Sequence, residues 1–395
     1  SGFPLWAIIA IAVLGCGCVI GVCLIARRRI ISLRVRIVEE KIANEKKLNV
    51  ARQPKKHRYY GPSESNNEWE IDRTFVGIDY SHKLGEGAFG SVYMGRVLAD
   101  NIPSALGKSI IERSVITSEI RTVAVKMLHE NADSQKERDF RNEIDLMQRI
   151  GYHERLVNML ACVTITDPIL LICEYCANGD LLEFLRMKRK FMLENPEETD
   201  VEKVITVEKQ MMFAIQIAYG LEYLVSRGYI HRDLAARNIL LDQHERCKIG
   251  DFGLARSLGD GNENYHAHGG KLPIKWMSPE AIEKYFFSSA TDVWSFGVLL
   301  FEIITLGGSP YAGWPVNELL TRLKSGERME KPDNCSENLY DLLCVCWSEQ
   351  PSDRPTFTEL RKHLGELLEE VNVDDYYLKL NANANYYVLE SNASD

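Results

Sequence analysis

The sequence holds no internal repeat of any period, which excludes a repeat architecture. It has no disulfide framework either. Of its ten cysteines, Cys16, Cys18 and Cys23 sit in an apolar run, and the other seven are scattered through apparent core and loops. That usage suits a reducing compartment, where cysteine serves as a small hydrophobe, and it is read as giving a zinc site no support. Charge is missing from residues 1–26 and unevenly spread elsewhere. Twelve Lys or Arg against Glu39, Glu40 and Glu45 leave residues 27–58 at +9. With the whole chain at −9, the remainder carries −18. So acidic a body argues against nucleic acid as a partner, while the basic collar before it fits an anionic membrane surface.

What is present falls into four stretches. Residues 3–26 are 24 uncharged residues followed at once by Arg27, Arg28 and Arg29. At ~1.5 Å per residue the run exceeds the ~30 Å hydrocarbon thickness of a bilayer. The cationic flank places the C-terminal side in the cytoplasm, and Trp6 is an interfacial anchor. A single transmembrane helix of type I is therefore predicted there, at the cell membrane. A signal peptide is the rival, weakened by the missing positive leader, the length of the run and the start at Ser1. That start also suggests an upstream extracellular portion, whose ligand the sequence does not name. Gly17 and Gly21 form a G-x-x-x-G pair that lets two such helices approach, or simply reflect the glycine common in membrane helices. Residues 27–74, broken by Pro54, Gly61 and Pro62, read as a basic juxtamembrane linker. Strand and helix signals are dense over 75–370, and residues 371–395 read as a disordered, tyrosine-bearing tail.

Chemistry begins at Gly85-Glu86-Gly87-Ala88-Phe89-Gly90. Glycines there let the backbone approach nucleotide phosphates with no Cβ in the way. Alone the pattern is weak, since it also marks dinucleotide folds. In those a helix follows at once, whereas here Ser91-Val92-Tyr93-Met94 continues as a strand. A second strand, Val123-Ala124-Val125-Lys126, ends in a lysine able to pair with phosphate oxygens. A helix then carries Phe140, Ile144 and Met147 on one face, with Glu143 beside that face and able to grip Lys126. A solvated surface charge is the bland reading of Glu143.

Further on stand His231-Arg232-Asp233-Leu234-Ala235-Ala236-Arg237-Asn238, then Asp251-Phe252-Gly253, then Ser278-Pro279-Glu280. In this order the motifs resemble the protein-kinase family over roughly residues 75–370. The resemblance implies an α+β fold of two lobes, a β-rich N-lobe with one main helix and a helical C-lobe. It implies ATP and Mg²⁺ as cofactors. Asp233 would accept the proton of the incoming hydroxyl, with Arg237 beside it; Asn238 and Asp251 would hold Mg²⁺; Lys126, gripped by Glu143, would hold the α- and β-phosphates. Leu84, Gly85, Gly87, Gly90, Val92, Ala124 and Leu240 would enclose the nucleotide, and Glu174 and Cys176 would offer backbone groups to adenine behind the gatekeeper Cys173. Asp292 would receive catalytic-loop amides, and Glu280 would pair with Arg354.

Ala235 and Arg237 resemble the tyrosine-kinase replacements in the catalytic loop, and Pro273-Ile274-Lys275-Trp276 resembles the shelf for a phenol ring. The hinge Leu171–Leu181 and the segment order resemble the platelet-derived and fibroblast growth-factor receptor group, with a short nematode-type receptor kinase also in view. The expected activity is that of a transmembrane receptor-type tyrosine kinase acting on protein tyrosines, dimeric when active and phosphorylating itself in trans. A membrane scaffold without catalysis is the rival class; it would be free to lose Lys126, Asp233, Asn238 or Asp251, and none is lost. Tyr265 in the activation segment is a candidate switch, and Tyr377 and Tyr387 are candidate docking sites for SH2-type readers. Packing of Tyr265 and idle tail tyrosines are the bland alternatives.

Overall fold

The computed structural model describes residues 68–87, 90–102, 120–129, 132–258, 272–371 and 377–387. Two compact units are distinguished, residues 66–364 with 372–395 and residues 1–65 with 365–371. Within the second, residues 365–371 are described and are helical to Glu370.

The larger unit opens with a five-stranded antiparallel sheet of order β1-β2-β3-β5-β4. Its strands are β1 (Val76–Glu86), β2 (Gly90–Leu98), β3 (Ile120–Leu128), β4 (Met159–Val163) and β5 (Leu170–Glu174). Alternation sets its two faces. Val97, Val123, Val125, Leu170 and Ile172 pack inward with Ile71 and Val76, while Ala124 and Lys126 take the opposite face of β3. Trp69 to Ile71 join this lobe, with Ile71 N–H donating to Cys162 O at 3.0 Å and Cys162 N–H to Trp69 O at 2.8 Å. The end of the expected linker is thus part of the sheet lobe.

Helix α1 (Ser134–Ile150) lies between β3 and β4 in the chain. Asp133 caps it by accepting from Gln135 and Lys136 amides, and Gly151, at φ 76°, ends it. Phe140, Glu143, Ile144, Met147 and Ile150 are its buried side chains, the expected face.

The second lobe is built from α2 (Leu181–Glu194), α3 (Val207–Ser226), α4 (Pro279–Lys284), α5 (Ser289–Ile304), α6 (Val316–Lys324), α7 (Glu337–Cys346) and, as far as residue 364, α8 (Phe357–Glu370). Helix α5 is buried on every side from Thr291 to Ile304, which makes it the axis of this lobe. Short pairs β6 (Tyr229–Ile230) with β9 (Arg256–Ser257), and β7 (Ile239–Leu241) with β8 (Cys247–Ile249), hold the loops between. Tail residues 377–387, expected to be disordered, lie on this lobe, with Tyr377 in a bridge to Thr206 and Ser309 N–H donating to Tyr386 O at 2.9 Å.

The two-lobed α+β architecture stands, but the membrane-spanning part of the expectation is corrected. Among the described residues no helix is long and apolar enough to cross a membrane. The longest, α3, has 20 residues but carries Glu208, Lys209 and Glu222. The most apolar, α5, has 16 residues, and at ~1.5 Å each it falls short of a ~30 Å hydrocarbon core. Residues 3–26, on which the transmembrane helix was placed, lie outside the described residues. The transmembrane receptor topology and the cell-membrane localisation derived from that helix are withdrawn with it.

Candidate active site

The strand period brings Lys126 out of β3 into the cleft, and the helical period brings Glu143 out of α1 to meet it. Lys126 Nζ donates to Glu143 Oε1 at 2.7 Å and Oε2 at 2.8 Å, and lies 3.8 Å from Asp251 Oδ1. Burial alone would lower the lysine's pKa, but Glu143 and Asp251 outweigh it and hold the ammonium above its ordinary range. At Asp251, about half exposed to the cleft, partial desolvation pushes the other way and is outweighed by Lys126 and His231, which hold the carboxylate below its ordinary value.

Above this pair the glycine hairpin closes with Gly87 N–H donating to Gly90 O at 2.9 Å. Its glycines are not equivalent. A Cβ on Gly90 would lie 2.0 Å from Met127 O, whereas one on Gly85 or Gly87 would meet nothing within 4 Å. Gly90→Ala is therefore expected to destabilise the protein by about 1–3 kcal/mol by overpacking and to raise KM for ATP. Gly87→Ala should leave thermal unfolding unchanged. Equal melting temperatures for the two variants would contradict this account.

The second lobe supplies the rest. Asp292, buried in α5, accepts from His231 N–H at 2.7 Å and Arg232 N–H at 2.9 Å. Burial pushes its carboxyl up, and those two amides work against the shift. They also hold Arg232 at φ 73°, a left-handed conformation that costs a non-glycine residue on the order of 1–3 kcal/mol. The His231 ring bonds Gly250 O through Nε2 at 2.9 Å, joining the catalytic loop to the residue before Asp251. Asp233 is paired with Arg237, and Asn238 Nδ2 donates to the Asp233 carbonyl at 2.8 Å. That bond commits the nitrogen end of the Asn238 amide and leaves its oxygen for a cation. Glu280 and Arg354 form a two-pronged pair at 2.6 and 3.0 Å.

Around the nucleotide cleft, Leu84 is exposed, and Val92, Ala124 and Leu240 are partly exposed. Leu240 is so although Ile239 and Leu241 on either side are fully buried, as strand alternation places it on the opposite face of β7. Cys173 pairs with Ala124 across β3 and β5. Tyr377 and Tyr387 are placed on the helical lobe, far in sequence from the cleft residues, and Tyr265 lies outside the described residues.

Three features escaped sequence reasoning. Glu302, buried in α5, accepts from Ala236 N–H at 2.9 Å and from Trp276 Nε1 at 3.0 Å, binding the catalytic loop to the shelf. Burial pushes its pKa up to about 7 against those bonds. Arg237 stacks over Trp276 at 4.5 Å from the ring centroid while paired with Asp233. The Glu174 carboxylate binds Lys248 at 2.7 Å and the Asn158 amide at 2.9 Å, so its side chain ties β5 to β8. The only readable signal was an acidic residue inside an apolar helix, Glu302. The spacing of Cys173 and Cys176 is that of a metal-binding pair, and it too was passed over. Burial pushes both thiols up, Cys176 to about 12, which disfavours the thiolate a metal needs.

Among the described residues no group of three or more His, Cys, Asp or Glu could hold a metal by itself. Mg²⁺ in phosphoryl-transfer sites takes one or two protein oxygens and completes its shell with phosphates and water, and the Asp251 carboxylate with the Asn238 amide oxygen suits that role.

The sequence pattern of the family described as protein tyrosine and serine/threonine kinase matches residues 78–364. Tyrosine-protein kinase F09A5.2 of Caenorhabditis elegans is 41% identical over 314 residues, 78% of this chain and 35% of that protein. Fibroblast growth factor receptor 1 of Pleurodeles waltl is 40% identical over 321 residues, 80% of this chain and 37% of the receptor. The fibroblast growth factor receptor of Hydra vulgaris is 40% identical over 308 residues, 78% of this chain and 35% of the receptor. The chain thus spans little more than a third of the length of these relatives. It belongs to the protein tyrosine and serine/threonine kinase family, with a tyrosine-kinase domain closely related to those of the fibroblast growth factor receptors.

Proposed function

We propose that this chain transfers the γ-phosphate of ATP to tyrosine hydroxyls in proteins. The observation that carries the reading is the continuous line Asp233–Arg237–Trp276–Glu302, which fixes the candidate base relative to the shelf. Leu84, Val92, Ala124 and Leu240 enclose adenine, and Glu174 and Cys176 offer it backbone groups. The Glu174 amide already donates to Asn158 O at 3.0 Å, so its contribution is the carbonyl. Gly85, Gly87 and Gly90 let the hairpin backbone close over the phosphates, and Lys126, steadied by Glu143, holds the α- and β-phosphates. Asn238 and Asp251 hold Mg²⁺, which when bound neutralises charge developing on the phosphates. Asp233 orients the phenol hydroxyl in line and takes its proton.

A phenol reaches further from the peptide backbone than a serine hydroxyl. Pro273 to Trp276 support a substrate backbone held back from Asp233 by that difference, and Arg237 braces the shelf from the base's own side. The full chain, incubated with ATP, Mg²⁺ and a mixed peptide library, is expected to yield phosphotyrosine in at least about tenfold excess over phosphoserine, the order of discrimination a shaped pocket supplies. Equal labelling would end the tyrosine assignment.

Partners and regulation are proposed on the same footing. Phosphate on Tyr265 would pair with arginines near the catalytic loop and order the activation segment, and two copies would exchange phosphate in trans. Phosphorylated Tyr377 and Tyr387 would recruit SH2-type readers.

A further inference from the structure

The tail is seated rather than merely adjacent. Leu306 at φ 49° and Gly307 at φ 79° form a left-handed turn after α5. Arg189 Nη1 donates to Leu306 O at 3.2 Å and Arg186 Nε to Gly307 O at 3.3 Å, which fix that turn to α2. The turn presents Ser309 N–H to Tyr386 O at 2.9 Å. At Gly308 an added Cβ would stand 2.6 Å from the Thr305 hydroxyl and 3.0 Å from the Tyr386 ring, so the turn and the tail ring both lie close against this glycine. The Tyr386 ring meets Phe301 edge-on at 5.9 Å and Tyr387 at 4.7 Å, and the Arg189 guanidinium lies 4.3 Å from the Tyr387 ring centroid. Asn381 Nδ2 donates to Asp333 Oδ2 at 2.9 Å, and Ala384 is buried between.

We propose that this face, made by Arg189, Phe301, the turn at 306–309 and Asp333, is a binding site for the unphosphorylated segment Asn385–Tyr387. The tail's tyrosine motif is thereby held in cis until phosphorylation expels it. The proposal rests on the tail-docking reading above and adds a competitor to it: the kinase's own helical lobe.

The reason for expulsion is electrostatic. Burial and the nearby Asp333 push the Tyr386 phenol pKa up, and burial, Tyr386 and Asp333 do the same at Tyr387 against the pull of Arg189. Both rings thus sit where negative charge is disfavoured. A phosphate adds about −1.5 to −2 charge beside the Asp333 carboxylate. Arg189 offers its face to the ring and a donor to Leu306, so its guanidinium is already engaged.

The test is hydrogen exchange of residues 377–387 in the full chain carrying Asp233→Asn, which prevents autophosphorylation. The free synthetic segment serves as the reference. Exchange at least about tenfold slower in the chain is expected for a seated segment. Arg189→Ala should speed it by roughly 2- to 30-fold, the range a cation–π contact supplies. Phosphorylation at Tyr386 and Tyr387 by an added tyrosine kinase should bring it to the free rate. Free-rate exchange in the unmodified chain, or protection that survives phosphorylation, overturns the proposal. Should Arg189→Ala unsettle α2, Tyr387→Ala tests the same contact from the tail. Binding of the phosphorylated free segment to an SH2 domain is measured separately; its failure would remove the reader and leave the cis site standing.

Discussion

Replacing Asp233 by Asn should lower peptide turnover by about two to four orders of magnitude, the range a positioned general base contributes, with nucleotide affinity nearly unchanged. The substitution is nearly isosteric, and an amide oxygen can still accept from Arg237, so the line to Trp276 is kept. What is lost is the proton acceptor and one negative charge. The groups assigned to adenine and the phosphates lie in the glycine hairpin, β3, the hinge and β7, and Asp233 is not among them. Turnover under saturating ATP and calorimetric nucleotide binding separate the two effects. Near-normal turnover in Asp233→Asn would remove Asp233 from the reaction.

The largest expected effect on stability is at Arg354. Its side chain is fully buried and its guanidinium donates to Glu280 Oε1 and Oε2, Ala290 O, Ser348 O and Glu349 O. It also lies 5.1 Å from the Trp294 ring centroid. Arg354→Met should cost about 3–5 kcal/mol, because it leaves the Glu280 carboxylate buried without its partner. In thermal unfolding that is a fall of roughly 10 °C for a domain of this size. Adding Glu280→Leu should recover part of the loss, since the stranded charge goes too. A double variant less stable than Arg354→Met would contradict the pairing. The sign of the pH dependence is set by the same pair. Burial raises the Glu280 pKa, and Arg354 overcomes it, so the folded value lies below the ordinary 4.5. The pair's contribution is present above about pH 4.5 and is lost as pH falls through the lower folded value. The stability gap between the parent and Glu280→Gln should narrow below that point.

Much of the site was legible because its chemistry is written in short, ordered segments. Lys126 and Glu143 followed from two periods, one of strand and one of helix, and their 2.7 Å contact is what those periods dictate once the sheet and α1 pack. The membrane expectation shows the opposite case. An uncharged run and its basic flank are compositional signals that lie outside the described residues, and among the described residues no helix is long and apolar enough to cross a membrane.

Taken alone, the sequence determined the order of the kinase-like motifs, each written within a few residues, and the resemblance they carry implied the two-lobed fold. Only the tertiary structure decided which distant groups hold these segments in place. Glu302 joins Ala236 and Trp276 across 66 and 26 residues, Lys248 reaches Glu174, and the tail settles on Arg189 and the turn after α5. Such contacts have no period and no local pattern. Their strength comes from water being excluded around a buried charge or ring, and that exclusion exists only after the chain has folded.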